Sequence, residues 1–154
     1  MEQSTRIKVF FKQNAADSEG ERVKKAVEDD LQIQLQSVKV ASVYEVRGLE
    51  KNDFEEVASK LFTDPLTQEY VIGTRKGEEC NWVVEVSLKK GVTDNVARTA
   101  VIGIKDVLKK DLPLSVRALK QYSFSGELSE DQVKTICNGL LANELIQNYK
   151  YWKC

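Results

Sequence analysis

The stretch WVVEVSLKKGVTDNVARTA, at residues 82–100, is the part of the sequence that determines how the rest is interpreted. Val84, Val86 and Leu88 alternate with polar residues, which is the period of a half-buried strand. A Lys-Lys-Gly turn follows. Asp94 comes next and is placed to cap a helix, because its carboxylate can accept hydrogen bonds from the free amides of a first helical turn. The stretch therefore predicts a strand, a turn and the start of a helix.

The same plan occurs near the beginning of the chain. An offset of 77 residues carries Asp94 onto Asp17 and carries the three apolar strand residues onto Ile7, Val9 and Phe11. The offset grows to 79 by the last helix, and each step falls in a loop, where insertions are tolerated. We infer that this chain contains two tandem copies of one structural unit.

Each copy is predicted to run β-α-β-α-β. The second helix of each copy carries an apolar stripe at helical spacing; the stripes are Phe54, Val57, Ala58, Leu61 and Phe62, and Val133, Ile136, Cys137, Leu140 and Leu141. The predicted fold class is α+β, with antiparallel sheets, helices packed on one face, and the copies paired about a pseudo-twofold axis as a fused dimer. The predicted boundaries are 1–74 for the first copy, 75–81 for a linker and 82–154 for the second copy, and we expect the copies to share one core.

Composition excludes several classes of function. The chain has 154 residues, with 23 Lys and Arg against 24 Asp and Glu, and the charges are interspersed. Such a balance is not typical of a surface that binds nucleic acid or an anionic membrane. No apolar run approaches the ~20 residues that cross a bilayer, and the first residues do not resemble a signal peptide. The absence of histidine excludes Ser–His and Cys–His nucleophiles and histidine-ligated metals.

The cysteines favour a reducing, cytoplasmic setting. Cys80, Cys137 and Cys154 are far apart, odd in number and form no CxxC motif. This pattern predicts neither a disulfide framework nor a zinc site. Cys137 lies on an apolar helical stripe and is interpreted as a buried thiol rather than a nucleophile.

The residues that recur in the two turns are the candidates for function. Asp17 and Asp94 are better suited to capping helices than to transferring protons, because a capping carboxylate stays ionised. Lys12, Lys89 and Lys90 lie where an anion could be held near a helix N-terminus. They lack a phosphate-binding signature, so a solvated turn is the competing interpretation.

Several segments resemble the PurS subunit of phosphoribosylformylglycinamidine synthase. In FFKQNAADSEG, Lys12, Asp17 and Gly20 stand in the positions of the family's Lys and Asp-x-x-Gly pattern. YEVRG at residues 44–48 and SKLFTDPLTQEY at residues 59–70 are also similar. In the second copy, LKKGVTDNVARTA and GLLANELIQNY resemble the pattern less closely, with Ala97 for the glycine and Glu144 for the proline.

The resemblance implies a non-catalytic component in purine biosynthesis. The enzyme makes formylglycinamidine ribonucleotide from glutamine and ATP, with Mg, and PurS subunits are dimers that hold its glutaminase and synthetase components together. A tandem chain would supply both halves of that dimer and bind no cofactor itself. On this basis Lys12, Asp17, Lys89, Lys90 and Asp94 are expected at interfaces with those two partners, and neither nucleic acid nor a membrane is expected as a partner.

Two other classes of function stay open on the sequence. One is a tandem ACT-like regulatory module that binds a small molecule where the copies meet, although the glycine-rich turn of such sites is not evident. The other is a self-sufficient enzyme with paired carboxylates, which would need a cluster of acidic residues that the sequence lacks.

Overall fold

The computed structural model describes residues 4–73 and 79–154. In these ranges the strands are β1 (Thr5–Phe11), β2 (Ser37–Arg47), β3 (Gln68–Ile72), β4 (Trp82–Leu88), β5 (Ser115–Ser125) and β6 (Gln147–Lys153). The helices are α1 (Ser18–Leu31), α2 (Lys51–Val57), α3 (Asn95–Leu108) and α4 (Glu130–Ile136). α2 continues into a π-helical turn at Ala58–Phe62, and α4 into one at Cys137–Leu141. Residues 75–78 of the predicted linker lie outside the described residues.

The strands follow the predicted antiparallel scheme. Hydrogen-bonded neighbours give a six-stranded sheet in the order β3-β1-β2-β5-β4-β6. β1 pairs antiparallel with β3, with Ile7 opposite Ile72, and β4 pairs antiparallel with β6, with Trp82 opposite Lys153. The predicted α+β class and the β-α-β-α-β order of each copy are confirmed.

The chain divides into two compact units that do not follow the copies. The first unit comprises Met1–Ala15, Ser42–Arg75 and Thr93–Leu119, and the second comprises Ala16–Ala41, Lys76–Val92 and Lys120–Cys154. The first unit therefore contains α3 of the second copy, and the second unit contains α1 of the first copy. β2 and β5 each contribute one part to either unit.

The first unit is built around an apolar cluster drawn from both copies. The first copy supplies six of its buried residues: Ile7, Val9, Val46, Phe54, Val57 and Ala58. The second copy supplies Ile104 of α3, whose side chain has no exposed surface. A helix with one apolar stripe must bury that stripe against another element, and here the other element belongs to the other copy.

The second unit repeats this arrangement with the roles of the copies exchanged. Its buried cluster takes Val27 from α1 of the first copy and includes Val84 and Val86 of β4, Phe124 of β5 and Ile136 of α4. The expectation of one shared core is therefore wrong for the described residues. They contain two apolar clusters, each completed by the other copy.

The π-helical turn of the second unit changes which residues face the core. In the second unit the amide of Ala142 donates to the carbonyl of Cys137 over 3.0 Å, an i+5 bond that adds one residue to the turn. Leu140, which helical spacing places in the core, is therefore 36% exposed. Leu141 packs against the cluster instead. The prediction that Leu140 is a core residue is wrong because it assumed 3.6 residues per turn to the end of the helix.

A disulfide joins Cys80 to Cys154, so the prediction against disulfides is also wrong. The register of β4 and β6 explains the pairing, because Trp82 opposite Lys153 brings the residues just beyond the strands side by side. The two Cα atoms are 5.7 Å apart, within the range that a disulfide spans. The cysteine pattern consequently carries no argument for a reducing compartment. Cys137 is a buried free thiol, as predicted.

Candidate partner-binding surface

The two recurrent aspartates hold the start of a helix against a strand. Asp17 accepts from the amide of Gly20 through one carboxylate oxygen and from the amide of Val40 through the other, both over 2.8 Å. Asp94 accepts from the amides of Ala97 over 2.9 Å and Ala118 over 3.4 Å. Both oxygens of each carboxylate are engaged, and the capping interpretation is confirmed. Whether these aspartates also contact partners stays a prediction.

Gly20, the glycine of the family pattern, has a steric role in the second unit. A Cβ atom at this position would lie 2.2 Å from the carbonyl oxygen of Val38, which is far closer than any real contact. α1 therefore approaches β2 more closely than a side chain would permit. The corresponding residue of α3 is Ala97, which is buried in the first unit. The replacement of the family's glycine by Ala97 leaves the aspartate cap unchanged, since Asp94 still accepts a hydrogen bond from the amide of residue 97.

The turn lysines lie beside the loops that precede β3 and β6. Lys12 donates from its backbone amide to Thr67 over 2.9 Å and from Nζ to the carbonyl of Pro65 over 2.7 Å. Lys89 makes the corresponding backbone bond to the carbonyl of Ile146 over 2.7 Å. Lys90 is exposed in the turn. Lys12 thus belongs to one such site in the first unit, and Lys89 and Lys90 belong to another in the second.

Those loops have the same hydrogen bonding in both copies. Sequence reasoning matched both segments to the family but did not predict these bonds. We call residues 63–67 and 142–146 the leucine loops. In the first, the amide of Leu66 donates to Asp64 Oδ1 over 3.0 Å, and the amide of Asp64 donates to Gln68 Oε1 over 2.9 Å.

The second leucine loop reproduces both bonds. The amide of Leu145 donates to Asn143 Oδ1 over 3.0 Å, and the amide of Asn143 donates to Gln147 Oε1 over 2.8 Å. Leu66 and Leu145 are each 84% exposed. The signal was present in the sequence: DPLTQ and NELIQ keep an Asp or Asn, a leucine and a glutamine at matching positions.

The side chains with perturbed ionisation are held in their neutral forms. Burial raises the pKa of Cys137 to about 12, so its thiol is protonated at neutral pH and is a poor nucleophile. The Tyr151 hydroxyl donates to Glu130 over 2.8 Å, and this hydrogen bond raises the pKa of Tyr151 to about 12. Burial, aided by the negative charge of Glu19, raises the pKa of Tyr122 to about 12. These groups stabilise the fold and are not poised for acid–base catalysis near pH 7.

The described residues contain neither a cluster of metal ligands nor a membrane-spanning helix. Across residues 4–73 and 79–154, no group of three or more His, Cys, Asp or Glu side chains is arranged to hold a metal ion. Within the same ranges, no helix combines the length and apolar character needed to cross a bilayer.

Comparison with known proteins identifies the family of the chain. The model of the family described as PurS, phosphoribosylformylglycinamidine (FGAM) synthase, matches residues 4–76 and again residues 81–153. No curated protein matches the chain. The two matched segments cover nearly the whole chain, and one segment falls on each of the two copies inferred from the sequence. The chain therefore belongs to the PurS family of FGAM synthase, and carries two PurS-like units in tandem.

Proposed function

We propose that this chain is a non-catalytic component of FGAM synthase that bridges the glutaminase and the synthetase components. Its role would be to keep the two components together, so that ammonia released from glutamine reaches the synthetase before it escapes. The assembled enzyme would use ATP and Mg, and this chain would bind neither. The setting would be the cytoplasm, where purine biosynthesis takes place.

The observation that carries this proposal is the exchange of helices between two PurS-like copies. Each unit takes its core from both copies, because Ile104 of α3 completes the first cluster and Val27 of α1 completes the second. Two separate PurS chains would have to associate to make such units. Covalent tandem copies make that association intramolecular and independent of concentration. One chain can therefore stand in for a dimer of bridging subunits.

The recurrent turns supply candidate contacts with the two partners. Asp17 and Asp94 fix the helix that follows each turn, while Lys12, Lys89 and Lys90 lie beside the leucine loops. We propose that the lysines contact the partner subunits and that Asp17 and Asp94 also lie at interfaces with those partners. Because Lys12 lies in the first unit and Lys89 and Lys90 lie in the second, one chain would present such lysines twice.

Reconstitution tests the bridging role. Purified glutaminase and synthetase would be assayed for FGAM formation with glutamine, and separately with free ammonia, across a titration of this chain. The proposal predicts that glutamine-dependent formation requires the chain and that ammonia-dependent formation does not, since the synthetase site is untouched. Equal glutamine-dependent rates with and without the chain would contradict it and would favour the ACT-like ligand-binding alternative.

Charge reversal tests the turn lysines. Lys89→Glu with Lys90→Glu should raise the concentration of chain needed for half-maximal glutamine-dependent activity, with little change in melting temperature. Lys25→Glu with Lys134→Glu is the matched control, because both lysines are exposed helical residues of the second unit. The lysine assignment is wrong if both double variants behave alike.

A further inference from the structure

The disulfide between Cys80 and Cys154 closes one end of the second copy, whereas the first copy contains no cysteine. The matching positions of the first copy hold Gln3 and Arg75. The first unit nevertheless builds its buried cluster, and a chain of 154 residues can bury enough surface to fold without a cross-link. The bond therefore has a role other than making the fold possible.

Strand β6 is longer than β3 at the end that carries the bond. β3 ends at Ile72, which corresponds to Tyr151 at the offset of 79. β6 continues for two more residues, Trp152 and Lys153, which pair with β4. In the first copy the backbone departs from strand geometry at Gly73, where φ is +90°. The disulfide thus lies directly beyond a piece of strand that was added to the second copy.

The β4 side of the bond is held by contacts that do not involve the disulfide. Asn81, the residue after the first cysteine, donates its amide to the carbonyl of Phe124 over 2.8 Å. Its Oδ1 accepts from the amide of Gly126 over 2.9 Å. Trp82 is buried, and its Nε1 donates to the carbonyl of Leu128 over 3.1 Å. Breaking the disulfide would leave this side of the second unit in place.

The β6 side of the bond is exposed. Residues 152–154 are all exposed, and Lys153 Nζ lies 5.5 Å from the centroid of the buried Trp82 ring. Tyr151, one residue earlier, packs against the apolar cluster and donates its hydroxyl to Glu130. Local opening of a strand end proceeds most easily where few apolar contacts are lost. Opening from this end should therefore stop at Tyr151.

We propose that Cys80–Cys154 is a redox modification site, which a dithiol reduces while the second unit stays folded, and that reduction frees residues 152–154 from β4. Thiols can reach the bond, because Cys154 is exposed and Cys80 is partly exposed.

The exchange proceeds in two steps. A thiolate of the dithiol attacks one sulfur and forms a mixed disulfide, and the other cysteine leaves as a thiolate that takes up a proton. The second thiol of the reductant then attacks the mixed disulfide, which closes the reductant's own disulfide and releases the remaining cysteine. In total, two electrons and two protons pass from the dithiol to the two cysteines.

The setting proposed for the chain supports a reversible bond. Disulfides are rare in cytoplasmic proteins, and those present are usually transient or redox-sensing. This argument rests on the proposed function, whereas the chemistry of the bond does not. The site is therefore tested on the purified chain, without the glutaminase or the synthetase, and a failed reconstitution of FGAM formation would not alter the result.

Thiol counting tests whether the bond is reduced in the folded chain. The purified chain would be treated with dithiothreitol, separated from it without oxygen, and titrated with a chromogenic disulfide. We expect no reactive thiol before treatment, two after it, and three once the reduced chain is denatured, because Cys137 is buried. A bond that is reduced only after denaturation would overturn the proposal. A third reactive thiol in the undenatured, reduced chain would also overturn it, because the core would then have opened.

Amide exchange followed by NMR tests how far the release extends. After reduction the amides of residues 152–154 should lose their protection, whereas those of Tyr149 and Tyr151 should keep measurable protection, because both side chains pack against the apolar cluster. Unchanged exchange at residues 152–154, or equal loss along the whole of β6, would contradict the proposal.

Cys80→Ser with Cys154→Ser is the matched control. This variant should show the exchange pattern of the reduced parent, and dithiothreitol should not alter it. A response of this variant to dithiothreitol would show that the release does not arise from the disulfide, and would overturn the assignment of the site.

Discussion

The two units build the same contact in opposite ways. In the first unit Leu61 of the π-helical turn lies over Gly103 of α3, and a Cβ atom on that glycine would be 2.9 Å from the leucine. In the second unit the large residue is Leu31 of α1, and the glycine is Gly139 of the π-helical turn, where an added Cβ would be 3.6 Å away. The repeat therefore preserves the pairing of a leucine with a glycine, and not the element that supplies each of them.

The units also differ where a strand meets a helix. Lys120 of β5 is bonded to both carboxylate oxygens of Glu19 on α1, over 2.6 and 2.7 Å, in the second unit. The corresponding positions of the first unit hold Ser42 and the exposed Val96. The pair is partly exposed, so its contribution is about 1 kcal/mol or less. The polar interruption at Lys120 thus has a local reason in the second unit.

The disulfide is the largest difference between the units, and its removal should have the largest effect. Cys80→Ser with Cys154→Ser should lower the free energy of unfolding by about 4 kcal/mol, because the bond closes a loop with a sequence separation of 74. Urea unfolding of the parent and the variant measures this change. Hydrogen exchange should quicken in β6 of the second unit and stay unchanged in β3 of the first. Three reactive thiols in the unreduced, denatured parent would show that the bond is absent.

The π-helical turn of the second unit can be tested with two neighbouring leucines. Leu141→Asp should cost about 2–3 kcal/mol because it places a charge against the apolar cluster. Leu140→Asp should cost less than about 1 kcal/mol because Leu140 is 36% exposed. Thermal unfolding of both variants gives the order. The reverse order would mean that regular α-helical spacing holds and that the π-helical turn is wrong.

The glycine exchange predicts opposite responses to the same substitution. Gly139→Ala should be neutral or stabilising by up to about 1 kcal/mol, since the added methyl group makes an ordinary contact with Leu31. Gly103→Ala should give no such stabilisation, or should lower the free energy of unfolding, because the methyl group must displace Leu61. Gly103→Ala combined with Leu61→Ala is the control, which removes the clash. Equal effects of the two single substitutions would remove the distinction between the units.

Alkaline pH should destabilise the second unit through Cys137, by an amount that is small near pH 9 and grows as the pH rises above it. Burial raises the pKa of this thiol from 9.0 to about 12, so above pH 9 the unfolded chain loses its proton before the folded chain does. Stability should therefore fall as the pH rises from 9 towards 12. Cys137→Val should make that fall shallower, and urea unfolding across the range measures the slope. The first unit has Ala58 at this position and therefore no thiol there. An unchanged slope in the variant would contradict the assignment.

The elements and caps were predictable because they depend on neighbours in the chain. Alternation in residues 82–88 identified β4. Asp17 and Asp94 identified both helix starts as capping residues, and each accepts a hydrogen bond from the amide three residues later. The hydrogen bonds of the leucine loops were not predicted although they are equally local, because a loop has no periodicity that indicates its conformation. The turn after α4 was misread at Leu140 because packing, and not the sequence period, selects the π-helical hydrogen bond of Ala142.

The sequence by itself determined that one β-α-β-α-β unit occurs twice and that both copies belong to the PurS family, since these features lie in order and spacing along the chain. Only the tertiary structure decided which copy completes which core, which cysteines pair, and that Lys120 meets Glu19. These choices join residues as far as 101 positions apart. An apolar stripe indicates that a helix must pack against another element, but a strand face of either copy could pack against it. Packing of the whole chain therefore determines which copy each helix packs against.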